Sequence, residues 1–317
     1  MTEVHPSFIQ SWIARAMAVG GLVALAGCGA TEPLSVTPDA PAGQTPELAS
    51  TAVPPGIVFA SYNLQLSQLN STHTGTIMAS TPSNLLSSLK TVKDRGGRVL
   101  LRLHGDKIVR NADGTFNLDT WKSQVARFRN VNFASYINDG TIVGHFIADE
   151  PHFPSRWGGK VIPQSTVETM AQYSKQLWPT LITITSAPPS WLASAGITYT
   201  HLDAGWAIYY AKIGNASTWL SNQVAKAKLK KLGLVASLNV LDGGNGSSGF
   251  SGNYPNKFAM SAAELRSYGT ALLAQSYVCA FAMWKYTSAY YGRSDIQSAM
   301  RELSGKARNH PATSCRQ

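Results

Sequence analysis

From residue 56 onward, short apolar and β-branched runs alternate with segments whose apolar positions recur at helical spacing. The runs are GIVFAS (56–61), TGTIMAS (74–80), RVLLRLHG (98–105), TIVGHFIADE (141–150), LITITSA (181–187), YTHLDAGW (199–206), GLVASLNVLD (233–242) and VCAFAMWKY (278–286). Helical patterns fall at about 82–95, 118–131, 165–177, 215–231, 261–275 and 293–304. Asn215 or Ser217 is placed to cap the fourth helix, and Ser261 with Glu264 three residues on forms a capping box for the fifth. Strands alternating with helices predict a parallel α/β sheet. Eight strands across 55–317 match a single-domain (β/α)8 TIM barrel. The connection YNLQLSQLNSTH is too short for a full helix, so the first βα unit is expected to be irregular. The alternative is an open doubly wound sheet, although no Gly-rich phosphate loop follows the first strand. In the seventh run, period-two alternation separates Leu234, Ala236, Leu238 and Val240 from Ser237 and Asn239, which are expected to face the barrel.

Barrels of this kind carry chemistry at the C-terminal ends of their strands. Four carboxylates are read as closing strands: Asp149 and Glu150, Asp203, and Asp242. Tyr62, Trp157, Trp191, Trp206, Trp284 and Tyr286 gather at the same ends, with Arg102, His104, His152 and Asn239. Sugar rings stack on flat aromatic faces, and glycosidic cleavage needs one carboxylic acid and one carboxylate. The expected roles follow. Glu150 is the acid, helped by Asp149. Asp203 or Asp242 is the base or nucleophile, and the other ten residues shape carbohydrate subsites. The plainer reading of Glu150 is an ion pair with Arg102 or Lys285, and that of Asp149 a cap on the following loop. Arg156 and Lys160, in 151–163, could line a wall for an acidic sugar, and 242–256 reads as a rim loop.

This arrangement resembles the clan A glycoside hydrolases, (β/α)8 barrels whose acid/base Glu closes strand 4, whose nucleophile Glu closes strand 7 and in which a Trp often closes strand 8. Glu150 falls at the first position and Trp284 at the third. The resemblance implies an O-glycosyl hydrolase. Asp149 stands where that clan usually has Asn, a DEP form also found in glycosidase-like barrels of unassigned activity. Strand 7 offers Asn239 and Asp242 but no Glu. An inverting enzyme, or a non-catalytic glycan-binding barrel, therefore stands beside the retaining hydrolase. A metal-dependent hydrolase is a further alternative because of His104, His145, His152 and His201. No H-x-H or H-E-x-x-H spacing supports it, so no metal and no cofactor is expected.

Composition adds the setting. With 44% hydrophobic residues, eight Trp and twelve Tyr, the chain is not disordered. The formal net charge of +10 is spread along the chain, except at Lys226, Lys228, Lys230 and Lys231, where it ends a predicted helix. No nucleic-acid signature accompanies it, so no nucleic acid partner is expected. Arg15 precedes the apolar run AMAVGGLVALAGC, too short for a membrane span. Its last four residues, Leu25 to Cys28, resemble the bacterial lipobox, which implies a signal peptide over 1–27 and lipidation of Cys28. Residues 28–54 read as a Pro-, Ala- and Thr-rich flexible tether. A monomeric, extracytoplasmic protein, lipid-anchored at the outer membrane or cell surface, is the expectation. Cys279 and Cys315 remain, and that compartment permits but does not require them to pair.

Overall fold

In the computed structural model, which describes residues 55–317, all eight runs become strands and each pairs in parallel with the next. The signal peptide, Cys28 and the tether lie outside the described residues. The strands are β1 (Val58–Tyr62), β2 (Gly75–Ala79), β3 (Arg98–Arg102), β4 (Ile142–Asp149), β5 (Thr183–Ser186), β6 (Ala204–Tyr209), β7 (Gly233–Asn239) and β8 (Val278–Trp284). β8 pairs back onto β1, with Ala280 opposite Val58, which closes the barrel. The helices are α1 (Leu85–Asp94), α2 (Leu118–Ala126), α3 (Ala134–Asn138), α4 (Gln164–Leu177), α5 (Pro189–Ser194), α6 (Ala216–Leu229), α7 (Ala262–Leu273), α8 (Ser288–Tyr291) and α9 (Ser294–Arg308). The fold is thus a (β/α)8 barrel rather than an open sheet. Among the described residues, no helix is long and apolar enough to cross a membrane.

Period two divides each strand's side chains between two cores. Leu234, Ala236 and Leu238 of β7 pack outward against Leu220 and Val224 of α6 and Leu265 and Leu272 of α7. Val235 turns inward to join Val58, Ala60, Ile77, Leu100, Phe146, Ile184, Trp206, Ala280 and Ala282 inside the barrel. Each large apolar side chain buried this way contributes roughly 1.5–3 kcal/mol. The first βα unit is irregular, with only a 3-10 turn at Leu66–Gln68 between β1 and β2. α5 was not legible as a helix because it opens on two prolines. Pro189 occupies its first turn, where a missing N–H costs nothing.

The sixth strand departs from expectation. It begins at Ala204 rather than 199. The reason is Glu168 on α4, whose carboxylate accepts the backbone N–H groups of Thr200, His201 and Leu202 at 2.8–3.0 Å. Those groups are therefore satisfied without a sheet partner.

Cys279 of β8 and Cys315 in the C-terminal tail, 36 positions apart in sequence, form a disulfide. Closing a loop of that size removes conformational freedom from the unfolded chain, worth about 3–4 kcal/mol. The double variant Cys279→Ala/Cys315→Ala is expected to lose about that much stability in urea unfolding, whereas wild type should lose it only when unfolded with a reductant present. An unchanged midpoint would show the bond to be energetically idle.

Candidate active site

β4 carries its apolar side chains to the barrel mouth and ends at Asp149. Glu150 then takes a positive φ of 50°, a left-handed conformation costing an L-residue roughly 1–2 kcal/mol. The turn is held over its own backbone. Phe153 N donates to Glu150 O at 3.1 Å, and the Trp157 indole N–H donates to the same oxygen at 3.2 Å. A 3-10 turn, Pro154–Arg156, brings the chain back and delivers Arg156 to the carboxylates it has just passed.

The buried Arg156 guanidinium is the centre of the site. Its Nη2 donates to Asp149 Oδ2 at 2.5 Å and to Asp106, and its Nη1 donates to Glu150 Oε2 at 3.2 Å. Asp106, beyond β3, also accepts from Arg102, and Arg102 Nη1 donates to the Tyr62 hydroxyl at 2.9 Å. A continuous network therefore runs from Tyr62 on β1 to Glu150 after β4. It holds three carboxylates and two guanidiniums, so it is neutral only when one carboxyl is protonated. Glu150 is the one disposed to keep its proton. Burial and then the neighbouring Asp149 carboxylate push its carboxyl up from 4.5 to about 8, against the opposing pull of Arg156. Behind the network, His104 is fully buried beside Trp121, with Nε2 3.9 Å from Asp106. Burial foremost, then Arg102 and His145, keep it well below the usual imidazole range and hence neutral.

The facing wall is aromatic and amide. Half-buried Trp284 ends β8 with its ring 4.7 Å from that of Tyr62, and the Lys285 ammonium lies 5.9 Å over the indole. Asn239 ends β7 directly in register with Trp284, and its Oδ1 accepts from Asp242 N at 3.2 Å. Tyr286 passes behind, its N–H bonded to Tyr62 O at 2.7 Å and its ring stacked 4.9 Å from Tyr291. At the β4–β5 rim, His152 and Trp191 lie with ring centroids 5.8 Å apart.

The structure brings Asp149, Glu150, Tyr62, Arg102, His104, Asn239 and Trp284 to one end of the barrel, with His152, Trp191, Tyr286 and Asp242 following strands at that same end, and it gives Asp203, Asp242, Trp157 and Trp206 other surroundings than expected. Asp203 does not close a strand; it precedes β6 at the opposite end. There it accepts from Lys175 Nζ at 2.5 Å, Thr183 N at 2.8 Å and Arg316 Nε at 3.0 Å. It is a structural anion, too remote to be base or nucleophile. Asp203→Asn is expected to lower stability by about 2 kcal/mol while leaving ligand binding at the mouth unchanged, read by urea unfolding and titration. Asp242 lies past the end of β7 and is committed to the rim loop. Its Oδ1 accepts Asn253 N at 2.6 Å and Tyr254 N at 3.2 Å, and its Oδ2 accepts Asn253 Nδ2 at 3.0 Å. Trp157 is buried against Phe116 and serves Glu150's backbone rather than a sugar. Trp206 lies within β6 and plugs the barrel against Phe146, 5.2 Å away.

Two network members were not read from the sequence in these roles. Asp106 carries no role in the sequence reading, and Arg156 reads there as part of a wall for an acidic sugar. Arg156 is instead saturated by this chain's own carboxylates. The available signal was a single Arg six residues after two adjacent acids, with prolines between to fold it back. Among the described residues, no group of three or more His, Cys, Asp or Glu is placed to hold a metal ion.

No protein-family model matches the chain, and no curated protein does. Solved structures do share its fold. A β-glucanase from Saccharophagus degradans superposes with a TM-score of 0.54 at 12% identity, over 80% of this chain and 88% of that one. A glycoside hydrolase family 5 mannosidase from Rhizomucor miehei gives 0.51 at 9% identity, over 83% and 98%. A β-galacturonidase from Eisenbergiella tayi, bound to galacturonate, gives 0.50 at 11% identity over 80% of this chain but 51% of that one. The chain therefore shares its (β/α)8 fold with these glycoside hydrolases.

Proposed function

We propose that the barrel mouth acts on a glycan, with Glu150 donating a proton to the leaving glycosidic oxygen. The observation that carries this is the state of Glu150. It is held in a left-handed backbone conformation at a strand end, and it keeps its proton to about pH 8. A carboxyl in that condition is suited to general-acid work at neutral pH, and positive φ at a non-glycine residue is a mark of a site whose geometry is enforced. Tyr62 and Trp284 supply the stacking surface. Both buried guanidiniums at the mouth are already taken by Asp106, Asp149 and Glu150, so neither Arg102 nor Arg156 is free to bind an acidic sugar.

A second reading has its own support. Asn239 occupies the end of β7, and the nearby Asp242 is engaged by three donors, so the wall facing Glu150 offers no free carboxylate. That is the composition of a glycan-binding barrel without turnover. Reducing-sugar release from a panel of neutral and acidic polysaccharides separates the two. Release by wild type and its loss in Glu150→Gln supports the hydrolase. Binding by both proteins without release supports the binding barrel.

We further propose that the chain works outside the cytoplasm, anchored through a lipid on Cys28. The Leu25–Cys28 motif supports this, as does the Cys279–Cys315 disulfide, a bond that persists in oxidising compartments. Palmitate labelling of wild type and of Cys28→Ala tests it; label in neither would remove the anchor.

A further inference from the structure

In this barrel the strands run toward the mouth and the helices run back, so the helix C-termini and the strand starts form the opposite, basal face. Basic residues collect there. Lys226 and Lys228 lie in the last turn of α6, followed by Lys231, and Lys306 and Arg308 lie in the last turn of α9. The macrodipole favours cations at such positions, but the carboxylates needed to balance them are spoken for. Asp94 is paired with Lys90 at 2.6 Å, Asp139 with Lys93 at 2.9 Å, and Asp203 with Lys175 and Arg316. Among the described residues, Lys226, Lys231 and Lys306 have no carboxylate partner, and all three are exposed. Set within this group is Leu229, the final residue of α6, which is 69% exposed, the most of the large apolar side chains among the described residues.

The chain also enters the barrel on this face. Ile57 N donates to Ala307 O at 3.0 Å, and Arg98 Nη1 donates to Gly56 O at 3.1 Å. Gly56 has φ of 75°, and a Cβ there would lie 2.2 Å from Ala307 O, so the entry is fixed against α9. The first described residues of the chain thus lie at the basic base, opposite Glu150.

We propose that this base is a docking face for an anionic phospholipid bilayer, and that it holds the glycan site facing away from the membrane. The proposal rests on the anchored reading only for the side from which the chain arrives. The charge and the exposed leucine are properties of the barrel itself. Exposed Lys and Arg near an anionic bilayer each strengthen partitioning about fivefold, and an apolar side chain among them enters the headgroup boundary. A face built only to bind soluble anions would have no use for Leu229.

The test uses the full chain carrying Cys28→Ser, so that no lipid contributes, in sedimentation with phosphatidylcholine vesicles with and without phosphatidylglycerol. Partitioning is expected on the phosphatidylglycerol vesicles and not on phosphatidylcholine alone, and it should fall as salt shortens the screening length from ~10 Å at 0.1 M to ~3 Å at 1 M. Lys226→Gln/Lys228→Gln/Lys231→Gln should lower it on the order of a hundredfold. Leu229→Ser should weaken it less, chiefly at higher salt. Equal partitioning on both vesicle types, which the apolar segment before Cys28 would produce, overturns the proposal. So does a triple variant that partitions like its parent. Failure of palmitate labelling would remove the anchor but leave this result standing, so the two readings fail separately.

Discussion

Glu150→Gln is expected to abolish sugar release and, at the same time, make the protein more stable at alkaline pH. The activity effect follows from removing the protonated carboxyl that the network holds, and general-acid catalysis of this kind is worth roughly 10²–10⁴-fold. The stability effect follows from proton linkage. In the unfolded chain, Glu150 releases its proton near the ordinary value of 4.5, whereas in the folded barrel it holds it to about 8. Between those values the folded state binds more protons than the unfolded state, so stability falls as pH rises. The contribution is intact below pH 4.5 and lost by about pH 8. Glutamine has no proton to lose. The variant is therefore expected to gain on the order of 2–4 kcal/mol over wild type at pH 8 and almost nothing at pH 4. Urea unfolding at the two pH values checks this; a variant less stable than wild type at pH 8 would refute the neutral-acid assignment. Wild-type activity should correspondingly decline as pH passes about 8, the limb on which the acid is lost.

Arg156→Met is expected to be the most destabilising single change at the mouth. One guanidinium holds Asp106, Asp149 and Glu150 together, and the arginine side chain is 4% exposed. Methionine fills a similar volume but leaves adjacent carboxylates without their shared cation. Breaking a buried pair in this way costs about 3–5 kcal/mol. Because the cost is carboxylate repulsion and desolvation, it should shrink toward pH 4, where protonation relieves both. A lost cavity contact would instead give a penalty independent of pH. Arg156→Lys should recover only part of the loss, since a single ammonium cannot bridge three carboxylates as a planar guanidinium does. Unfolding of the three proteins at pH 4 and 7 distinguishes these outcomes.

The barrel was legible in the sequence because its signals are local. Strand runs, helix periodicity, the Ser261–Glu264 capping box and the inward parity of Ser237 and Asn239 depend on neighbours a few residues away. The capping box is present, and Val235 and Leu234 sort as period two requires. The site was legible only in part. Asp149 and Glu150 stand out because an apolar strand ends on them. Asp203 misled because the segment before it resembles a strand, and only the distant Glu168 carboxylate withdraws that backbone from the sheet. Arg156 could be placed in the right loop, yet its partners come from two different strand ends, and no sequence spacing encodes that convergence. The burial that keeps Glu150 protonated is likewise a property of the assembled mouth.

The mouth is divided between a charged wall on β3 and β4 and an aromatic, amide-bearing wall on β7 and β8. Under the proposed function, that division separates holding a glycan from cleaving it. The stacking pair Tyr62 and Trp284 and the Arg156 network do not depend on what Asn239 carries beyond its bond to the rim loop. Amide and carboxylate are nearly isosteric, so at this one position a lineage can gain or lose a second carboxylate while fold, network and sugar platform stay in place. Under the proposed function, a glycan receptor and a glycan hydrolase built on this barrel would differ at that one position.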